Sequence, residues 1–175
     1  EYISSALIAA YLKSRHIDAT VADAATLMHL DADGKPDLET ICQQAQAFSQ
    51  TAQAAVYVTQ SLVCQNAYGE VEYIAKGDSC AYAVYLAIAF RAQELIQRIQ
   101  AKEIYIPYDN KKPEENNGTM FSFEEAESLI NAGVRLVSSR SLSLAHQYQI
   151  NIRLINGQAR IIRLISEIQE ETHTV

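Results

Sequence analysis

Cations are scarce in this sequence: 14 Lys and Arg stand against 21 Asp and Glu, a formal net charge of −7. A surface of that sign repels phosphate backbones and anionic bilayers, so nucleic acid and the membrane surface are excluded as partners. No apolar run reaches the ~18 residues that a membrane span needs, and the first residues do not read as a signal peptide. Cysteines number only three. Cys42, Cys64 and Cys80 lack metal-ligand spacing, so they read as small buried thiols of a cytoplasmic protein rather than a disulfide framework or zinc site. The histidines (His16, His29, His146 and His173) are dispersed and have no Cys or His partner at ligand spacing, which argues against a metal site. Gly-x-Ser-x-Gly is absent. The serine-rich run from Ser138 to Ser143 is therefore read as a helix cap and not as a nucleophile.

What the chain has in quantity is apolar residues, 49% against 20% charged, enough for a globular core in 175 residues. Ile3, Leu7, Ile8, Tyr11 and Leu12 recur at helical spacing. Ala19 to Ala22 reads as a short strand. A turn at Asp31-Ala32-Asp33-Gly34 precedes a helix from Leu38 to Ser49 that Asp37 caps. Ala54 to Thr59 is a near-continuous apolar run, as in a strand covered on both faces, and Val71 to Ala75 is a second short strand. A long Ala-rich helix is expected from Ser79 to Gln100, then strands at Lys102 to Ile106 and Ile150 to Ile155. Residues 108 to 120 form a polar loop. Ser122 with Glu125 makes a capping box for a helix that Gly133 ends, and Leu142 to Tyr148 is helical. Ala159 to Ile168 is ambiguous between strand and helix. Alternating strands and helices predict an α/β fold with a largely parallel sheet and helices on both faces, a three-layer α/β/α sandwich. Strands near Ala19, Ala54, Lys102 and Ile150 are expected in one sheet. No repeat or linker marks a second domain.

Thr59 to Phe90 is the most informative stretch. Strand, loop, strand and a Gly-containing turn into a helix form a layout that often binds anions at the helix N-terminus. The loop Lys76-Gly77-Asp78-Ser79-Cys80 contradicts that chemistry, having one glycine and a carboxylate.

Glu1-Tyr2-Ile3-Ser4-Ser5, Ala22-Asp23-Ala24, Val56-Tyr57-Val58-Thr59-Gln60-Ser61, the loop 74 to 83 and the segment Ser122 to Arg140 form a collinear set. In order and spacing it resembles the aspartate kinases of the amino-acid kinase family, whose patterns at these places are Gly-Glu-x-x-Ser, Leu-Asp-Ala, Val-x-Thr-Gln-Gly, Leu-Gly-Arg-Gly-Gly-Ser-Asp and Ser-Tyr-x-Glu-Ala…Gly-Ala-Lys. The resemblance covers residues 1 to 156, a partial amino-acid-kinase-like domain, and leaves 157 to 175 as a C-terminal tail of uncertain structure. It implies that Glu1, Ser61, Gly77 and Ser79 bind substrate and that Tyr105 and Arg135 face the nucleotide. It also places the family's catalytic lysine and first glycine loop upstream of Glu1, as in a segment cut from a longer protein, so no catalytic residue is assigned here.

The departures from the family pattern shape the functional expectation. Asp78 stands for a glycine, Cys80 for the family's Asp, and Ile106-Pro107 for a polar pair of the nucleotide loop. The leading expectation is a degenerate aspartate-kinase-like domain, not catalytic alone, with a structural or regulatory subunit role or a small amino-acid ligand. The rival is a fragment of an active aspartate kinase, phosphorylating the aspartate side-chain carboxylate with ATP and magnesium. A third reading, a ligand sensor, needs an effector domain after Val175. Against the site roles, Glu1 is expected to be frayed and inert. Ser79 is expected to act as an N-cap, and Lys76 and Arg135 to be solvated or paired with acids. Asp23, at a strand end, is balanced between the two readings. A homodimer or a pairing with a related kinase subunit is expected, because the family's opening strands precede this chain and would leave an apolar edge. The Ala-rich helix from Cys80 to Phe90 or that strand edge would form the interface.

Overall fold

The computed structural model describes residues 1–73, 79–99, 119–134, 136–156 and 161–165. The chain divides into two compact units, Glu1–Arg91 and Ala92–Val175.

The first unit runs α1 (Tyr2–Ser14), β1 (Ala19–Ala22), α2 (Ala24–Leu27), α3 (Leu38–Thr51), β2 (Val56–Thr59), β3 (Val63–Gln65), β4 (Val71–Tyr73) and α4 (Ser79–Ala89). β1 and β2 pair in parallel from Ala19 opposite Val56 to Ala22 opposite Thr59. β3 and β4 form an antiparallel hairpin. Its turn needs Gly69, at φ +83°, and the Asn66 side chain secures it by accepting from the Tyr68 and Glu70 amides at 2.9 Å each. Ala22, Leu27 and Ala45 centre the core, with Phe48, Tyr57, Leu86, Ala89 and Phe90 packed around them. Phe48 meets the Tyr57 ring edge-on at 5.0 Å, the geometry aromatic quadrupoles favour.

The second unit holds β5 (Glu94–Ile99), β6 (Thr119–Ser122), α5 (Phe123–Asn131), α6 (Ser139–Gln147), β7 (Asn151–Asn156) and β8 (Ile161–Ile165). Its sheet has the order β5-β7-β8-β6. β5–β7 and β6–β8 are parallel, and β7–β8 is antiparallel. Ile152, Leu154 and Leu164 are fully buried in it. The fold is α/β with mixed, mostly parallel pairing.

Several expectations hold in detail. The Ser122 capping box is complete: its hydroxyl accepts from the Glu125 amide, and the Glu125 carboxylate accepts from the Ser122 amide. Gly133, at φ +92°, ends α5 with its amide on the Ile130 carbonyl. Ser138 caps α6, its hydroxyl accepting from the Ser141 amide.

Others are corrected. The long helix does not reach Gln100. It stops at Ala89, Arg91 takes a left-handed φ of +52°, and residues 94–99 form β5, in register with β7 throughout. Glu94, Gln97 and Arg98 sit on this strand, and Glu94 grips Arg153 of β7 at 2.6 Å. The strands near Ala19 and Ala54 do not share a sheet with that near Ile150; β1 and β2 form a two-stranded sheet and β7 belongs to the other unit. The expected strand at Lys102 to Ile106 lies outside the described residues. Within the expected tail, Ile161–Ile165 is strand β8, between β7 and β6. The expectations above omit α2, β3 and β6, each four residues or fewer. Among the described residues no helix is long and apolar enough to cross a membrane.

Asp37 caps α3 through two bonds from one residue, the Thr40 amide and hydroxyl. The Thr40 hydroxyl bond, and next the amide bond, hold the Asp37 carboxyl below its ordinary pKa. A lowered folded-state pKa adds stability above the unfolded carboxylate range, and this is lost as pH falls through the folded value. Asp37→Ala is therefore expected to cost about 1 kcal/mol at neutral pH. The gap from the parent protein should narrow as thermal melts move below pH ~4, into the carboxylate range. A gap constant from neutral to strongly acid pH would refute the charged cap.

Candidate functional site

Parallel strands in open α/β sheets present ligands at their C-terminal ends, beyond the last paired residues. Here those residues are Ala22 and Thr59, directly opposite each other, so Asp23 and Gln60 emerge side by side. Asp23 turns the chain into α2, its Oδ1 accepting from the Ala25 amide at 3.0 Å and from the Tyr2 hydroxyl at 3.2 Å. Burial first, then the charge and hydrogen bond of Asp23, raises the Tyr2 phenol above its ordinary pKa, which keeps it a donor.

Gln60 is 4% exposed. Its Oε1 accepts from the Ala24 amide at 2.8 Å, and its Nε2 donates to the Ser5 hydroxyl at 2.6 Å. Ser61 follows and turns outward. Its amide donates to Glu1 Oε2 at 2.7 Å, and its hydroxyl lies 3.1 and 3.2 Å from the two carboxylate oxygens. Leu62 then takes φ +61°, a left-handed backbone that is rare without glycine and costs about 1–3 kcal/mol. That bend turns the chain from β2 into β3.

The expected fraying of Glu1 is thus corrected: three contacts from Ser61 secure its carboxylate at the strand ends. A carboxylate accepts about four hydrogen bonds, so Glu1 retains acceptor capacity for a ligand ammonium or hydroxyl. Of the residues assigned to substrate by resemblance, the structure brings Glu1 and Ser61 together. Gly77 lies outside the described residues. Ser79 opens α4, but its side chain is not described. Tyr105, Arg135 and Lys76 also lie outside. Cys80 is half-buried in α4, and Cys64 is fully buried with Sγ 3.6 Å from the Glu72 carbonyl. Burial first, then the Glu72 charge, raises the Cys64 thiol pKa, so it is not a reactive thiolate.

Sequence reasoning passed over Gln60 and Ser5 as site residues. The available signal was a glutamine directly after an apolar strand, where a buried amide must find partners.

In the second unit, a groove of about 80 Å³ lies between α5 and α6, lined by Phe123, Glu127, Ser139, Ser143 and His146 among others. It is well below the ~300 Å³ of small-molecule sites. His146 stacks on Phe123 at 4.9 Å and lies 3.8 Å from Glu124, a packing arrangement. Among the described residues no three His, Cys, Asp or Glu gather to hold a metal.

By sequence the chain matches no protein-family model and no curated protein. By structure it is similar to aspartokinase III of E. coli, at 19% identity and TM-score 0.73, over 95% of this chain and 39% of that one. It is also similar to the aspartate kinase of Clostridium acetobutylicum, at 16% and 0.74, over 98% and 38%. The UMP kinase of Bacillus anthracis matches at 12% and 0.56, over 95% and 66%. Over nearly its whole length the chain therefore has the amino-acid kinase fold of aspartate kinase catalytic domains, and it spans about two fifths of the length of the aspartokinases it matches.

Proposed function

We propose that this chain, with its amino-acid kinase fold, is an aspartate-kinase-like domain that binds a small amino acid at the ends of β1 and β2 without phosphorylating it. Its role is that of a structural or regulatory subunit. The observation that carries the reading is the Glu1 carboxylate, clasped by the Ser61 amide and hydroxyl at the ligand end of a parallel strand pair. An ammonium group is its natural complement, since charge-assisted hydrogen bonds of this kind are about twice as strong as neutral ones. The structural relative from E. coli was solved with aspartate and ADP, which makes aspartate the first ligand to try. The denial of turnover comes from sequence: Asp78, Cys80 and Pro107 stand where the resemblance has a glycine, an aspartate and a polar nucleotide contact.

Isothermal titration with aspartate, lysine and threonine tests the reading. Saturable binding of at least one is expected, and Glu1→Gln should weaken it about 10- to 100-fold, the usual worth of a hydrogen bond to a charged group. No saturable heat with any of the three would overturn the ligand role. Assembly belongs to the same proposal. A second copy of this chain is the partner we infer, docked through the outer face of α1.

A further inference from the structure

Three polar side chains are buried among the described residues: Ser5, Gln60 and Ser141. Ser141 packs under the α6 cap. The other two bond each other across 55 residues of chain. Buried polar groups of this kind are costly unless every donor and acceptor finds its partner.

The bonding is directional, and each direction follows from chemistry. The Ala24 amide can only donate, so the Gln60 atom facing it is the oxygen. That sets the carboxamide, and its NH₂ faces the Ser5 hydroxyl and donates to it. The Ser5 hydroxyl has one proton, which goes to the Tyr2 carbonyl at 3.0 Å. The Ser5 amide meanwhile donates to the Glu1 carbonyl at 2.9 Å. The Ser5 hydroxyl thus holds the Tyr2 carbonyl, and the Ser5 amide, by the first backbone bond of the helix, the Glu1 carbonyl. Gln60 reaches the first turn of α1 through the Ser5 hydroxyl, while Ser61 holds the Glu1 carboxylate directly.

We propose that Gln60 and Ser5 are positioning residues for Glu1, a one-way relay of hydrogen bonds that sets where its carboxylate points. The proposal rests on the ligand role of Glu1 argued above. Pre-setting the carboxylate removes the cost of ordering it when the ligand arrives.

Reversing one donor breaks the relay without emptying the site. In Gln60→Glu the ionised carboxylate still accepts from the Ala24 amide but cannot donate to Ser5. The Ser5 hydroxyl then turns to it and releases the Tyr2 carbonyl. Protonating the new carboxyl restores the donor, and burial places that protonation above the ordinary glutamate range.

The test is aspartate titration of the full chain at about pH 8 and about pH 5, pH values on either side of the expected range for a buried glutamate. Gln60→Glu should bind about tenfold or more weakly at the higher pH and recover most of that at the lower. Ser5→Ala should lose a similar factor at both. Asp37→Ala, destabilised in the same unit but outside the site, should bind as the parent does, which separates positioning from loss of stability.

The amide resonance of Ile3, which shares a peptide unit with the Tyr2 carbonyl, followed by NMR without ligand, is an independent readout. In Gln60→Glu it should titrate with the same midpoint as the affinity. If the parent binds no amino acid yet this resonance titrates, the ligand role fails and the relay stands. If aspartate binds the parent, while affinity and resonance both ignore the change at position 60, the relay is overturned.

Discussion

Purified protein given ATP, magnesium and aspartate is expected to form no acyl phosphate above background. Phosphoryl transfer is almost entirely positioning plus electrostatic stabilisation of the phosphates, so the residues of the two ligand loops decide it. Asp78 adds a negative charge to the loop that the resemblance assigns to an acidic substrate. Two like charges ~4 Å apart repel by about 4 kcal/mol at an effective dielectric near 20, roughly three orders of magnitude in affinity. Ile106-Pro107 removes polar contacts from the loop assigned to the nucleotide, and proline also removes a backbone donor. Hydroxamate trapping is the assay. A signal that scales with this chain would favour the active-kinase reading instead. The double change Asp78→Gly with Cys80→Asp should tighten aspartate binding if the loop chemistry alone is altered. No gain would locate the difference in the backbone of the site.

Parent protein is expected to be dimeric by light scattering, and Leu7→Glu monomeric. On α1, Ile3, Leu7 and Tyr11 are 77%, 66% and 63% exposed, and their i, i+4, i+8 spacing aligns them on one face. Ile8, 51% exposed, widens it, and residues 2 to 12 include no charged side chain. Contiguous apolar surface of this kind marks an interaction site. A two-fold contact presents the same patch from both copies, and an uncharged patch meets itself without repulsion. Burying one such large side chain contributes about 1.5–3 kcal/mol. Leu7→Glu instead brings two carboxylates together at a desolvated centre. The Ala-rich helix is differently placed: Ala81 and Val84 of α4 are fully buried in this chain. A parent protein strictly monomeric at tens of micromolar, well above the ~1 μM of modest interfaces, would exclude the α1 dimer.

The elements read correctly from sequence are those whose cause is local. Asp37 with Thr40 and Ser122 with Glu125 cap helices within four residues of chain. The apolar run ending at Thr59 reads as a strand because its neighbours along the chain already say so, but its expected cover on both faces is not met: all four residues of β2 are only half-buried. The misread segment after Ala89 has no such signal. Glu94–Ile99 is a strand because β7 lies beside it in full register, and an isolated stretch of Glu, Gln and Arg among Leu and Ile suits a helix as well. Ile161–Ile165, within the ambiguous 159–168 segment, is a strand for the same reason: β7 and β6 lie on either side of it.

The candidate site divides along the same line. From the sequence came Glu1 and Ser61, as substrate-binding residues implied by the resemblance, and the doubt that Asp78 and Cys80 cast on catalysis. Residue type is enough for those, because charge and hydrogen-bonding capacity belong to the side chain. Only the tertiary structure showed that Ser61 holds Glu1 and that buried Gln60 orients Ser5. It alone also showed that the apolar face of α1 is exposed, where the periodicity had given only the helix. These facts depend on segments distant in sequence meeting at the ends of β1 and β2. A hydrogen bond or a covered surface is a property of two partners, and a chain read in order shows only one of them at a time.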